Sequence, residues 1–354
     1  MPTKAASPPA IASVANTRIL RLAFGTAVSL WISQAVGWSL SFIAPVVTMF
    51  LLAMPLSRPK PRLFIVVVLA LTLSIYGSFV FLPLLLHQQY VGLLLLSLVL
   101  FHSFYFTARG GSKAASTLVP MAVALTVAIG TVSVDMLLGV ASGLAIGAMA
   151  GAIVAMLFHR LMPDPPQELP PNSDDGLDAP ANTQLAGARH DAMRSLAIVL
   201  PILIWFILSS ASAANAAVMI KVSAMGQEVS RCSTRGAAKS LIISTIAGGF
   251  AAVVAWQFLS IWPSLTMYGL LILLAGLLFG RKIFTGRGLQ SDAATWSYAF
   301  LTMIIVLAPA ALDSDFGTAA GAKFYDRLLM FGWATLYGVG AVYVFDAFWK
   351  RPEN

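Results

Sequence analysis

The sequence predicts an all-α fold, a polytopic membrane helix bundle of about twelve transmembrane helices arranged as two parallel six-helix repeats. Three observations lead there. With 58% apolar and only 10% charged residues, the chain cannot cover itself with polar surface, so its solvent is lipid. Apolar runs close to the ~20 residues that a spanning helix needs recur from residue 19 to residue 349. Threaded through a membrane as helices, those runs put all of the 22 Lys and Arg residues on one side except Lys323 and Arg327, an asymmetry that marks the cytoplasmic side.

The first six runs cover residues 19–38, 39–56, 63–86, 90–108, 114–132 and 134–158. After a polar gap the second six cover 195–213, 214–229, 237–261, 262–280, 293–312 and 328–349. The second and eighth are the shortest. Basic residues fall between these runs or in their first few residues: Lys4, Arg18 and Arg21 at the N-terminus, Arg58, Lys60 and Arg62 before the third, Arg109 and Lys113 before the fifth. Arg160, Arg189 and Arg194 lie in the central gap, followed by Arg231, Arg235 and Lys239, then Arg281, Lys282 and Arg287, then Lys350 and Arg351. Both termini are thus expected in the cytoplasm of a bacterium whose inner membrane holds the chain. The net charge of +8 reflects this topology and not nucleic-acid binding, because the cations flank membrane helices and form no stripe with interleaved aromatics.

The first run is too long for a secretory signal and no small-residue cleavage site follows Trp38, so it is expected to be retained. Residues 163–190 are rich in Pro, Asp and Asn and are expected to be a disordered cytoplasmic linker, and residues 1–17 an equally disordered N-terminus. The bundle then divides into a first unit, 18–162, and a second, 191–350. A shift of 173 positions lays Arg21 on Arg194, Arg58 on Arg231, Arg62 on Arg235 and Arg109 on Lys282. Such register implies duplication. Because each unit has an even number of crossings, the two insert in the same direction and are related by an axis along the membrane normal, with any site between them.

A glycine stripe, Gly139, Gly143, Gly147 and Gly151, offers either a sliding surface for rocking helices or plain close packing. Gly332 and Gly340 form a looser counterpart. Lys221 is the sharpest functional candidate. It lies in a short segment whose counterpart in the first unit holds Pro45, Thr48 and Pro55. Paired short or Pro-interrupted segments at corresponding positions point to a binding site, since broken helices expose backbone groups to a ligand. A lysine in the bilayer is held against a penalty of about 2.5–3.5 kcal/mol, and its ammonium suits the carboxylate of an organic anion. Asn215, Thr48 and Pro45 complete the expected binding set. The alternative is that Lys221 snorkels to the headgroups and Glu228, seven residues on, is solvated.

Proton coupling needs a titratable group within the membrane, and the candidates are Glu228, Asp135, Asp292, Asp346 and His102. Asp135 and Asp292 stand at helix starts, where a carboxylate also serves as a cap. Asp346 precedes Lys350 by four positions, the spacing of a helix-surface ion pair. His102 has no second His or carboxylate at metal-ligand spacing. Trp38, Trp262, Trp296 and Trp349 fall at helix ends, where indoles favour the interface, and Met49, Met54, Met219 and Met225 suit an adaptable apolar wall. The single cysteine, Cys232, can form no internal disulfide. There is no GxxxxGK[ST] loop, metal cluster or nucleophile elbow, so a non-enzymatic protein without ATP hydrolysis, metal or other cofactor is expected.

The order of elements resembles the fusaric-acid-resistance-like membrane proteins, which include aromatic acid exporters: a six-helix unit, a cytoplasmic break, then a second unit. The features that carry the resemblance are RILRLAFGTAVSLWISQAVGW at the start of the first unit, Arg62 leading the third helix, and KSLIISTIAGGFAAVV in the ninth. The chain is similar to a short branch of that family, without large cytoplasmic domains. The resemblance implies an efflux component for small hydrophobic or aromatic acids, working with a periplasmic adaptor for which residues 312–327 offer the docking surface, and acting alone or as a homo-oligomer. Two other readings stay open. One is a non-transporting scaffold for an adaptor or secretion complex, and the other is a membrane enzyme with His102 or His87 as base.

Overall fold

The computed structural model describes residues 8–38, 40–54, 61–109, 113–130, 134–164, 185–208, 216–229, 234–285, 292–312 and 318–349. Within them lie thirteen α-helices. They are α1 (Pro8–Val36), α2 (Ile43–Ala53), α3 (Pro61–Ser78), α4 (Phe81–His87), α5 (Gln89–Ala108), α6 (Lys113–Gly130) and α7 (Val134–Leu161), then α8 (Leu185–Leu208), α9 (Ala216–Val229), α10 (Thr234–Ile261), α11 (Leu265–Phe284), α12 (Asp292–Leu312) and α13 (Thr318–Phe348). Among the described residues, seven stretches are long and apolar enough to cross a membrane. The protein is an all-α, multi-pass membrane bundle.

Several boundaries differ from those read in the sequence. The third run, expected as one helix over 63–86, breaks at Phe79 and Val80 into α3 and α4. Pro83 explains the break: it has no N–H to give the Phe79 carbonyl, and its ring would press on that carbonyl. The backbone tightens instead, with Phe79 N–H donating to Tyr76 O and Val80 N–H to Gly77 O, each at 3.1 Å. The first helix begins at Pro8, well inside the stretch expected to be disordered, because Val14 and Ala15 already find buried positions. It ends at Gly37, whose φ of 72° supplies the left-handed turn that closes a helix. Residues 165–184 of the expected linker lie outside the described residues, and α8 has started by Leu185. The last helix starts at Thr318, so most of the stretch expected as a periplasmic loop over 312–327 is helical.

Burial sorts the helices into two layers. On α12 every residue from 298 to 308 is buried, and on α9 every residue from 221 to 226. Along α2 all but Phe50 and Ala53 are buried, and α6 buries Leu118, Met121, Val123, Ala124 and Val127. These four helices contact one another in a ring, α2 on α6, α6 on α9, α9 on α12 and α12 on α2. The others surround them and turn apolar lines outward, such as Ile246, Phe250 and Val254 on α10 or Leu270, Leu274 and Leu278 on α11. A helix buried on every face by other helices meets no lipid, so it is free to be short and to carry polar groups. That is why α2 has 11 residues and α9 has 14.

Glycines set the closest approaches. A Cβ on Gly151 would stand 2.6 Å from Ala44 O and 2.9 Å from Val47 Cβ, and one on Gly147 would stand 3.0 Å from Ile43 Cβ. The lower half of the α7 stripe therefore packs on α2, in keeping with close packing, while Gly139 meets nothing within 4 Å. The expected counterparts Gly332 and Gly340 also face open space; on α13 the close glycine is Gly338, set against Met225 of α9. Another close pair lies between α1 and α11, where a Cβ on Gly276 would come 2.7 Å from Ala23 Cα. Gly151→Ala is expected to lower stability by about 1–3 kcal/mol through overpacking, and Gly139→Ala to leave it unchanged or slightly raised by about 0.5 kcal/mol through helix propensity. Thermal unfolding in one detergent compares the two.

Candidate functional site

Lys221 projects from α9 into the inner ring and is 1% exposed. The segment AAVMIKVSAMGQEV forms a helix because Ala, Met and Val pack readily on all sides once other helices enclose them. The Lys221 Nζ donates to Thr302 Oγ1 of α12 at 2.7 Å, and Thr302 Oγ1 donates to Tyr298 O at 2.8 Å. A hydroxyl has one proton. With that proton committed to the Tyr298 carbonyl, Thr302 presents only its lone pairs to the amine, an arrangement that suits an ammonium with three protons to give. The snorkelling alternative does not fit this position, since the amine is enclosed by protein.

Thr48 occupies the position on α2 that the 173-residue shift lays on Lys221. Its hydroxyl lies within hydrogen-bonding reach of the carbonyls of Ala44 (2.9 Å) and Gly151 (3.1 Å), either of which can take its one proton, and of the Ser29 hydroxyl at 2.9 Å. It thereby ties α1, α2 and α7 together. Pro45 is buried in the first turn of α2, where its missing N–H leaves no bond unmade. Asn215 lies outside the described residues, and Glu228 lies in the last turn of α9 with its side chain outside them.

Of the remaining coupling candidates, Asp346 pairs with Arg194 of α8, Oδ2 to Nη2 at 2.6 Å, while its expected partner Lys350 lies outside the described residues. His102 is on the outward face of α5, its Nδ1 2.8 Å from Leu98 O. His87 closes α4 with Nδ1 3.1 Å from Pro83 O. Asp135 and Asp292 stand in the first turns of α7 and α12, with side chains outside the described residues. Met49 and Met225 are buried, whereas Trp262 and Trp349 are exposed, in line with a core and an interfacial setting respectively. Among the described residues, no three His, Cys, Asp or Glu side chains come together to hold a metal ion.

Sequence reasoning missed two ion-pair clamps. In the first half of α1, Arg18 reaches Asp164 Oδ2 with Nε at 2.8 Å and Nη2 at 2.6 Å, while Arg21 Nη1 reaches Asp164 Oδ1 at 3.0 Å and Met162 O at 3.2 Å. Arg21 is fully buried and Asp164 nearly so. The second clamp is Arg194 on Asp346, beside which His190 Nε2 lies 3.0 Å from Trp349 O and the His190 ring meets Phe345 edge-on. Each joins the first half of one helix to the end of a helix reached much later in the chain. The register of Arg21 with Arg194 carried the signal, but read as topology alone it said nothing of Asp164 or Asp346.

Fold and site together define a polytopic helical membrane protein with a cation enclosed at its centre. Residues 18–158 match the family model described as a protein of unknown function (DUF2955), a domain of the fusaric-acid-resistance-like membrane-protein clan. The match covers less than half of the chain and spans α1 to α7. No curated protein and no solved structure matches the chain.

Proposed function

We propose that the protein is an inner-membrane efflux component for small hydrophobic or aromatic acids, with Lys221 holding the anion in the inner ring. The observation that carries the reading is the burial of Lys221. A fully enclosed ammonium is rarely kept in a membrane protein without a task, and a carboxylate arriving in so dry a setting would gain far more from it than at a surface. The clan of the matching domain agrees with transport. Since the chain has no phosphate-binding loop, the reading draws its energy from an ion gradient, and a periplasmic adaptor carries the substrate onward.

The same reading takes the bundle as a duplication, with twelve crossings in two parallel units and both termini in the cytoplasm. Shifted by 173, α1 answers to α8, α2 to α9, α3 with α4 to α10, α5 to α11, α6 to α12 and α7 to α13. Helix contacts occur in matching pairs under that correspondence. The packing of α1 on α11 is answered by α8 on α5, α6 on α9 by α12 on α2, α3 on α7 by α10 on α13, and α3 on α6 by α10 on α12. The two arginine clamps add a further pair. Under this symmetry the inner ring lies around the axis relating the units, where a substrate would cross.

Cells with and without the protein, loaded with a panel of labelled aromatic acids, test the function. Expression is expected to lower accumulation of at least one acid, and an uncoupler to abolish the difference. Equal accumulation of every compound would count against transport and favour the scaffold.

A further inference from the structure

We infer that Gly248 and Thr302 are positioning residues for Lys221, and that the close approach of α10 to α12 at Gly248 fixes where the lysine's charge stands. A Cβ on Gly248 would lie against Ala299 O and 2.7 Å from Thr302 Cβ. Neither atom can give way easily: one is helix backbone, and the other is the branch point of a side chain held to Tyr298 O at 2.8 Å. Glycine at 248 thus lets α12 sit at the distance from which Thr302 meets Lys221 at 2.7 Å. Any larger residue drives Thr302 across the ring.

The first half of the chain shows what the same place looks like without that glycine. Position 75 answers to 248 under the shift of 173, and Ile75 stands there. Around Ile75 the helices do not close. Leu71, Val46, Val47, Ala122 and Ala148 join it in lining a small cavity bounded by apolar side chains alone. Thr48, where the lysine would be, turns to α1 and α7 for its hydrogen bonds. Glycine, threonine and lysine therefore occur together in one half, and none of the three in the other.

This assignment rests on Lys221 being the anion's partner, but its test needs no substrate. The full chain, labelled with 15N at its lysine side chains and held in nanodiscs, is expected to give one ammonium signal shielded from exchange with water, lost in Lys221→Met. Gly248→Ala and Thr302→Val should shift that signal and speed its exchange roughly tenfold or more, the scale of one hydrogen bond to a charged group. Thr302→Ser should restore it, and Gly139→Ala should leave it as in the wild type. If the Lys221 signal is unmoved in folded Gly248→Ala and Thr302→Val, the assignment is wrong. Should Gly248→Ala fail to fold, Thr302→Val against Thr302→Ser decides alone. A shifted signal in a protein that exports no acid would keep the positioning roles and remove the transport reading.

Discussion

Lys221→Met is expected to abolish export of organic acids while leaving the protein as stable as the wild type or more so. The two halves of this expectation have one cause. An ammonium enclosed to 1% exposure loses nearly all of its hydration, and hydrogen bonds such as that to the Thr302 hydroxyl at 2.7 Å offset part of the loss. Methionine has a similar length, no charge and a flexible chain that fills the same space, so removing the ion relieves a penalty of about 2.5–3.5 kcal/mol on insertion scales. A residue kept for packing would behave in the opposite way, with stability falling and activity following it. Export of labelled acid, normalised to protein level, and unfolding temperature in detergent together separate the two. Loss of stability with export retained would contradict the role given to Lys221.

Asp164→Ala is expected to be the most destabilising single change outside the inner ring, by about 3–5 kcal/mol. Asp164 accepts from both Arg18 and Arg21, and Arg21 is fully buried. Deleting the carboxylate takes an ionised partner from a buried guanidinium, which is far worse than never having had the pair. Arg194→Ala should be milder, because its partner Asp346 keeps 19% of its side chain exposed and can be hydrated once freed. Unfolding of the three proteins in one detergent gives the order. Equal stability of Asp164→Ala and the wild type would mean that the clamp contributes nothing.

Much of the fold was legible because lipid constrains sequence so strongly. Most predicted runs have a helix within a few residues, since a spanning segment must be apolar and must bond its own backbone. The errors have local causes. Pro83 split a run whose hydropathy is continuous, and α1 and α13 extend past their apolar stretches because neighbouring helices shelter Val14 at one end and Phe324 at the other. Run length reads the crossing of lipid, so it is short for α2 and α9, whose described residues are mostly enclosed by other helices. The same enclosure drew attention to Lys221, since shortness and a charge are tolerated only in the interior. Thr302 and Gly248 stayed hidden. Nothing in the spacing of 221, 248 and 302 reveals three helices meeting, and the meeting depends on how the bundle closes. The clamp carboxylates stayed hidden for a related reason: Asp164 sits in a stretch whose composition reads as linker, and only the helix ends show that it is bound.

Equilibrium binding of a labelled benzoate to the purified wild type and to Lys221→Met, at neutral pH and low salt, tests the enclosed cation most directly. Affinity is expected to fall at least roughly tenfold in the variant, as it must when a carboxylate loses its charged partner. Equal affinity in a folded Lys221→Met protein would contradict the claim that this lysine holds the anion.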